Sequence, residues 1–250
     1  MDASVKMNQR ALVICILFFV SHAFVLASPA QAEVSDFACG SLDNPYGPFD
    51  FRSDKDKLTI VEYAHLNQGV LSLTKGQSSY LGADLDYALR AFPNHPNALM
   101  AMVRLGDKEK TTKPGGANYS VECYLNRAIR FRNDDSMVKM IYATFLYKNS
   151  RSGEALKQAD EAVAESHGEG SANLYYNIGL VYLDLKQYDK ALSNAHLAYQ
   201  MGFPLPGLRD RLKRAGKWSE PLPPVTESPV ETSQLNEGKA PAPATSPVVE

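Results

Sequence analysis

Between residues 61 and 217, apolar and small side chains recur with a helical period and are interrupted at short polar intervals. The clearest stretch is 172–205. Tyr175, Ile178 and Tyr182 stand at i, i+3 and i+7 and predict one apolar stripe along a helix. After the polar break Lys186-Gln187-Tyr188-Asp189, the positions Leu192, Ala195 and Ala198 predict a second helix. Gly179 and Ala191 are small enough to let the two cross closely. Residues 136–171 repeat the arrangement with an insertion of two residues, with Ala143, Ala155, Ala159 and Ala162 in the equivalent places. Asp135 and Ser136 are candidate caps for the first helix of that unit.

Two upstream units are looser but in phase. Residues 65–96 carry Gln68, Leu71, Ser72, Leu85, Ala88 and Ala91, with Asp84 standing where a small residue is expected. Residues 97–134 carry Met102, Leu105, Gly106, Val121, Leu125 and Ala128, split by the long connector 108–118, in which Pro114-Gly115-Gly116 guarantees a break. Tolerance of a surface insertion suffices to explain that connector, and a binding edge is the other reading. Ala91, Ala128, Ala162 and Ala198 are 37, 34 and 36 residues apart. A period near 34 predicts an all-α solenoid of helical hairpins, about four of them over residues 61–217. Residues 206–215, with Leu208 and Leu212 on one face and Gly216 as a stop, predict a helix that caps the last repeat.

The unit containing Tyr175-x-x-Ile178-Gly179-x-x-Tyr182, then Ala191, Ala195, Ala198 and Pro204, resembles the tetratricopeptide repeat. Tyr175 stands for the family's tryptophan and Ala195 for its phenylalanine, and Pro204 falls one place late. The resemblance implies a right-handed stack whose first helices line a concave groove for extended peptides or helices. Carried over by position, the groove comprises Asn173, Tyr176, Asn177 and Leu180, then Met137, Met140, Thr144 and Tyr147, then Met100, Val103 and Arg104. Packing between repeats is the competing role for several of them. The lysine-and-asparagine clamp that some members use for carboxylates is not reproduced. The chain also resembles secreted repeat proteins of Gram-negative bacteria, a likeness that assigns no activity.

The ends differ from the middle. Residues 1–32 read as a signal peptide: Lys6 and Arg10, the apolar run 11–27, then Ala30-Gln31-Ala32 as a small-x-small cleavage site. A retained anchor is the alternative, because the run approaches the length of a span. Residues 218–250 contain seven prolines among Ser, Thr, Glu and Ala, and predict a disordered tail, either a spacer or a docking segment. Residues 33–60 are expected to be irregular, yet Leu42, Tyr46, Phe49 and Phe51 are too apolar for a free arm and should pack on the first repeat. Of three cysteines, Cys15 lies in the leader. Cys39 and Cys123 are either a bridge, suited to an exported protein, or two separate thiols.

A net charge of −2 gives no basic field for nucleic acid. His65, His95, His167 and His196 form no metalloprotease motif, and no cysteine pair has zinc spacing. Gly76-Gln77-Ser78-Ser79-Tyr80 fails the nucleophile-elbow pattern, and Asp84 and Asp86 fall on different helix faces. No cofactor is expected. The sequence therefore predicts a non-catalytic scaffold, periplasmic or secreted, that holds a protein or peptide of an envelope or secretion assembly. The alternative is a cell-wall or exopolysaccharide-binding accessory protein or enzyme, with Tyr46, Phe49 and Phe51 as its aromatic platform.

Overall fold

The computed structural model describes residues 39–77 and 80–221. The expected signal peptide, residues 33–38 and all but the first four residues of the expected tail lie outside them. The described residues form ten α-helices and no strand: α1 Lys55–His65, α2 Gln68–Leu71, α3 Leu81–Ala91, α4 Pro96–Glu109, α5 Val121–Phe131, α6 Ser136–Lys148, α7 Ser152–Glu165, α8 Ala172–Asp184, α9 Tyr188–Gln200 and α10 Gly207–Arg214. None is long and apolar enough to cross a membrane.

The pairs α6/α7 and α8/α9 are the tightest units. Three residues join each pair, so the helices run antiparallel and touch along their length. Ala143, Ala155, Ala159 and Ala162 in one pair, and Ala191, Ala195 and Ala198 in the other, are wholly buried. Small side chains at these crossings let the backbones approach. Gly179 serves the next interface: a Cβ there would lie 2.5 Å from Leu208 Cδ2, so α10 can seat Leu208 and Leu212 on the α8/α9 pair only because that position has no side chain. Successive first helices also meet, α4 with α6 and α6 with α8.

Two expectations need correction. Helix α1 begins at Lys55, inside the stretch read as irregular, because Leu58 and Val61 one turn apart bury a narrow stripe. The first helix expected around Gln68–Ser72 is only the four-residue α2. Ser72 and Thr74 hydroxyls both donate to the Gly69 carbonyl, and Leu73 adopts φ 59°, so the chain turns away instead of continuing the helix. Asp84, the misfit in that unit, is wholly buried. It accepts from the backbone N–H of Gln77 at 2.6 Å and lies 3.1 Å from His65 Nδ1, tying the segment after α2 to α3.

Residues 39–54 form a strap across α3 and α5. Cys39 and Cys123 are bridged, with Cα atoms 5.1 Å apart. Arg127, one turn beyond Cys123, is buried and donates from Nη1 to the carbonyls of Cys39, Gly40 and Ser41, while Arg130 donates to that of Gly40. Further along, Phe49 N–H bonds to Ala91 O at 2.8 Å and its ring meets Phe92 at 5.5 Å. Phe51 packs against His95. The strap then ends in a polar knot that ties two helix corners together. Asn94, between α3 and α4, accepts from Phe51 N–H and donates to Asp50 and to Asp135, the cap of α6. Burial pushes the Asp50 carboxyl up, but bonds from Arg52, Asn94 and Arg132 outweigh this and hold it well below the usual carboxylate range.

Candidate functional site

The pair α4/α5 departs from the three-residue linkage of the later pairs. Its connector is ordered throughout. Lys110 ends α4 in the left-handed conformation, φ 52°, and Thr111 N–H returns to Gly106 O. Glu109 accepts from Gly115 N–H at 2.9 Å, and Val121 N–H closes onto Thr112 O at 2.8 Å. The far side of the loop is pinned to α3. Asn118 donates from its backbone and side-chain nitrogens to Asp86, which also accepts from the Tyr124 hydroxyl at 2.5 Å and from Arg90. Burial and the neighbouring Asp86 carboxylate push the Tyr124 hydroxyl pKa far above its usual value, so it stays a donor. Gly82 makes the docking possible, since a Cβ there would collide with the Gly115 carbonyl oxygen. The connector is thus a built part of the fold, where insertion tolerance was the simpler expectation.

A cleft of about 790 Å³ lies beside the end of α4, the start of α5 and the end of α6, where α4 and α5 meet so closely that a Cβ on Gly106 would stand 2.8 Å from Val121 Cγ2. Val103, Gly106, Val121 and Phe145 make its floor, and Thr111, Thr112, Ser120 and Asn149 add polar groups. One wall is a closed charge network: Arg151 donates to Glu122 and to Glu154, and the Tyr142 hydroxyl donates to Glu122 at 2.9 Å. Asp107 pairs with Lys148. The connector side is different. Lys108 donates to the Leu73 carbonyl, and none of Lys108, Lys110 and Lys113 has an acidic partner among the described residues. The cleft therefore offers an apolar floor with a mixed charged rim, Asp107 and Glu122 against Lys110 and Arg151.

The sequence-predicted groove residues are distributed unevenly around this site. Val103 is buried in the cleft floor. Met100 is half-buried, and Arg104 is exposed but donates to the Leu71 carbonyl at 2.8 Å. On α6, Met140 is buried, while Met137, Thr144 and Tyr147 are half-buried, Thr144 donating back to Met140 O. On α8, Asn177 donates to the backbone and side chain of Asn173, and Leu180 is half-buried. Tyr176 is buried and stacks on Phe203 at 4.1 Å, so the segment leading into α10 occupies that end of the expected groove. Phe145, Gly106, Val121 and Arg151 were missed by sequence reasoning. The length of the connector was the one signal pointing to them.

The aromatic platform is engaged too. Tyr46 meets the edge of Phe49, Phe49 leans on Phe92, and Lys55 lies 3.7 Å over the Phe51 ring, whose other neighbour is His95. His95 caps α4 by accepting from Ala98 N–H at Nδ1, which leaves Nε2 to donate to Glu62. Desolvation pushes its pKa below the usual histidine value, and Glu62 only partly offsets this. Among the described residues no group of three or more His, Cys, Asp or Glu is arranged to hold a metal ion. No protein-family model matches the chain, and no characterised protein matches it significantly.

Proposed function

We propose that this protein is a non-catalytic interaction scaffold of the tetratricopeptide type, exported to the periplasm, which holds a peptide segment of a partner in an envelope or secretion assembly. The observation that carries this reading is the cleft at the α4/α5 pair, with an apolar floor and charged rim, beside the successive contacts of α4 with α6 and α6 with α8. Such a surface suits an extended segment that inserts one side chain and pairs its neighbours with the rim. The hairpins α6/α7 and α8/α9, the contacts between successive first helices, and the covering of the last pair by α10 support a repeat stack with a C-terminal cap. The buried Cys39–Cys123 bridge supports an oxidising compartment.

Affinity capture from a crosslinked periplasmic extract tests the reading. Phe145→Ala and Val121→Asp should each abolish retention of a partner that the parent retains, with helicity by circular dichroism unchanged for Phe145→Ala. Asn173→Ala, on the exposed start of α8, should retain it. Capture indifferent to Phe145 and Val121 would remove the cleft from the proposal.

A further inference from the structure

We infer that α1 and the end of the strap form an acid-released latch: uptake of one proton by His95 frees residues 51–65 from the α3/α4 corner and uncovers the apolar face of α3 beneath.

His95 stands where α1, the strap, α3 and α4 meet. It is the N-cap of α4 and is wholly buried; the Phe51 ring lies 4.6 Å from it, and Glu62 reaches it from α1. Next to it Asn94 joins Asp50 to Asp135. Both ring nitrogens are committed to the neutral form. Nε2 carries the hydrogen that goes to Glu62, 3.2 Å away, so Nδ1 supplies the lone pair that accepts from Ala98 N–H at 3.4 Å. A second proton can go only to Nδ1. There it removes the acceptor and sets two N–H groups against each other. It also leaves a buried cation at the positive end of a 14-residue helix.

The surroundings give that cation little help. On α1, Glu62 faces it but is 45% exposed, and Lys55, 3.7 Å over the Phe51 ring, opposes it. At the end of the strap, Asp50, Arg52 and Asp54 are engaged with one another or with the knot around Asn94. Arg90, in the last turn of α3, pairs with Asp86, and Asp135 caps α6. The first turn of α4 has no acidic residue. The charged ring is therefore more stable in water, and α1 is the element that can release it. Only Leu58 and Val61 of its 11 residues are buried, while Ile60 and Tyr63 face solvent. Because α1 packs on α3, its departure bares the apolar surface that Leu58 and Val61 cover. The bridge at Cys39 keeps the beginning of the strap in place, so the released part stays tethered.

A histidine in the opened state has an ordinary pKa near 6.5, whereas the closed ring is held neutral. Opening therefore becomes easier as pH falls below about 6.5, by about ten-fold for each pH unit. That window lies above the one in which Asp50 titrates.

Hydrogen exchange on the full, bridged chain tests the latch. After correction for the intrinsic pH dependence of exchange, protection of the Val61 and Ala98 amides should fall about ten-fold between pH 7.5 and 5.5. The α8 amides should remain better protected at both values. In His95→Asn, whose amide oxygen can cap α4 without titrating, the pH dependence should vanish whatever the baseline. Should that variant not fold, the imidazole signals of the parent decide: His95 must still be neutral, with its hydrogen on Nε2, at pH 5.5. Unchanged protection in the parent, a ten-fold fall that survives in His95→Asn, equal protection of α1 and α8, or a cationic His95 in the folded chain at pH 5.5 each overturns the inference.

Discussion

Removing the bridge between Cys39 and Cys123 should cost more stability than any other change at two positions in the strap. The bond closes a loop with a sequence separation of 84 residues. In the chain-entropy treatment, cross-linking a loop of that length removes roughly 15 cal/mol/K from the unfolded ensemble, about 4.5 kcal/mol at 25 °C. The figure is a ceiling, because the strap keeps other attachments: Arg127 on three carbonyls, Phe49 on Ala91, and the knot around Asp50. The proper variant is Cys39→Ala/Cys123→Ala. Both sulfurs are buried, and serine would add the separate cost of an unsatisfied hydroxyl. Urea unfolding of parent and variant should give midpoints about 1–2 M apart for a slope near 2 kcal/mol/M. Amide exchange at Phe49 and Phe51 should accelerate more than exchange in α8, which the strap does not touch. The reasoning is refuted if the bridge is verified in the parent by non-reducing peptide mapping and the midpoints nevertheless coincide.

Other outcomes follow from particular contacts. Asp50 has a folded pKa below its unfolded value, so its contribution is complete above about pH 4 and is lost as pH falls through the folded value. Asp50→Asn should therefore lower the urea midpoint at pH 7 and flatten its fall on acidification below about pH 4; a parallel fall in both proteins would exclude Asp50 as the source. Gly82→Ala should cost about 1–3 kcal/mol in thermal unfolding, as overpacking does, and should speed amide exchange at Asn118 by pushing the connector off α3. Lys139 is buried, yet its partners Glu161 and Glu165 are about a third exposed and can rehydrate. Lys139→Met should therefore stay within about 1 kcal/mol of the parent by urea titration, and a loss several times larger would show that the ion pairs hold α6 to α7.

The parts of the fold written most plainly in the sequence are those fixed by neighbours. Ala155, Ala159, Ala162, Ala191, Ala195 and Ala198 are small because another backbone lies against them, and their spacing reports it directly. The same holds for α10, whose Leu208 and Leu212 are the apolar pair on a charged helix. Helix α1 was hidden because Ile60 and Tyr63 face solvent at 62% and 81% exposure, which blurs the stripe made by Leu58 and Val61. The cleft was hidden for another reason. It depends on Asn118 meeting Asp86, 32 residues away, and on the absence of a side chain at Gly82. Nothing in the local pattern announces either. Position-by-position transfer from the repeat placed Tyr176 in the groove, but it could not foresee Phe203 folding back over it.

The strap alters how these helical hairpins can assemble. Hairpins that contact only their neighbours can form in any order, each as soon as its own residues are available. Here the first described residues are completed only by α5 and the corner before α6, with Arg52 reaching Asp134 across 82 positions. In synthesis from the amino end, Cys39 is made long before Cys123, and the bridge can close only after the residues of α3 and α4 have been added. A local architecture thereby acquires one distant closure, and with it a slower search.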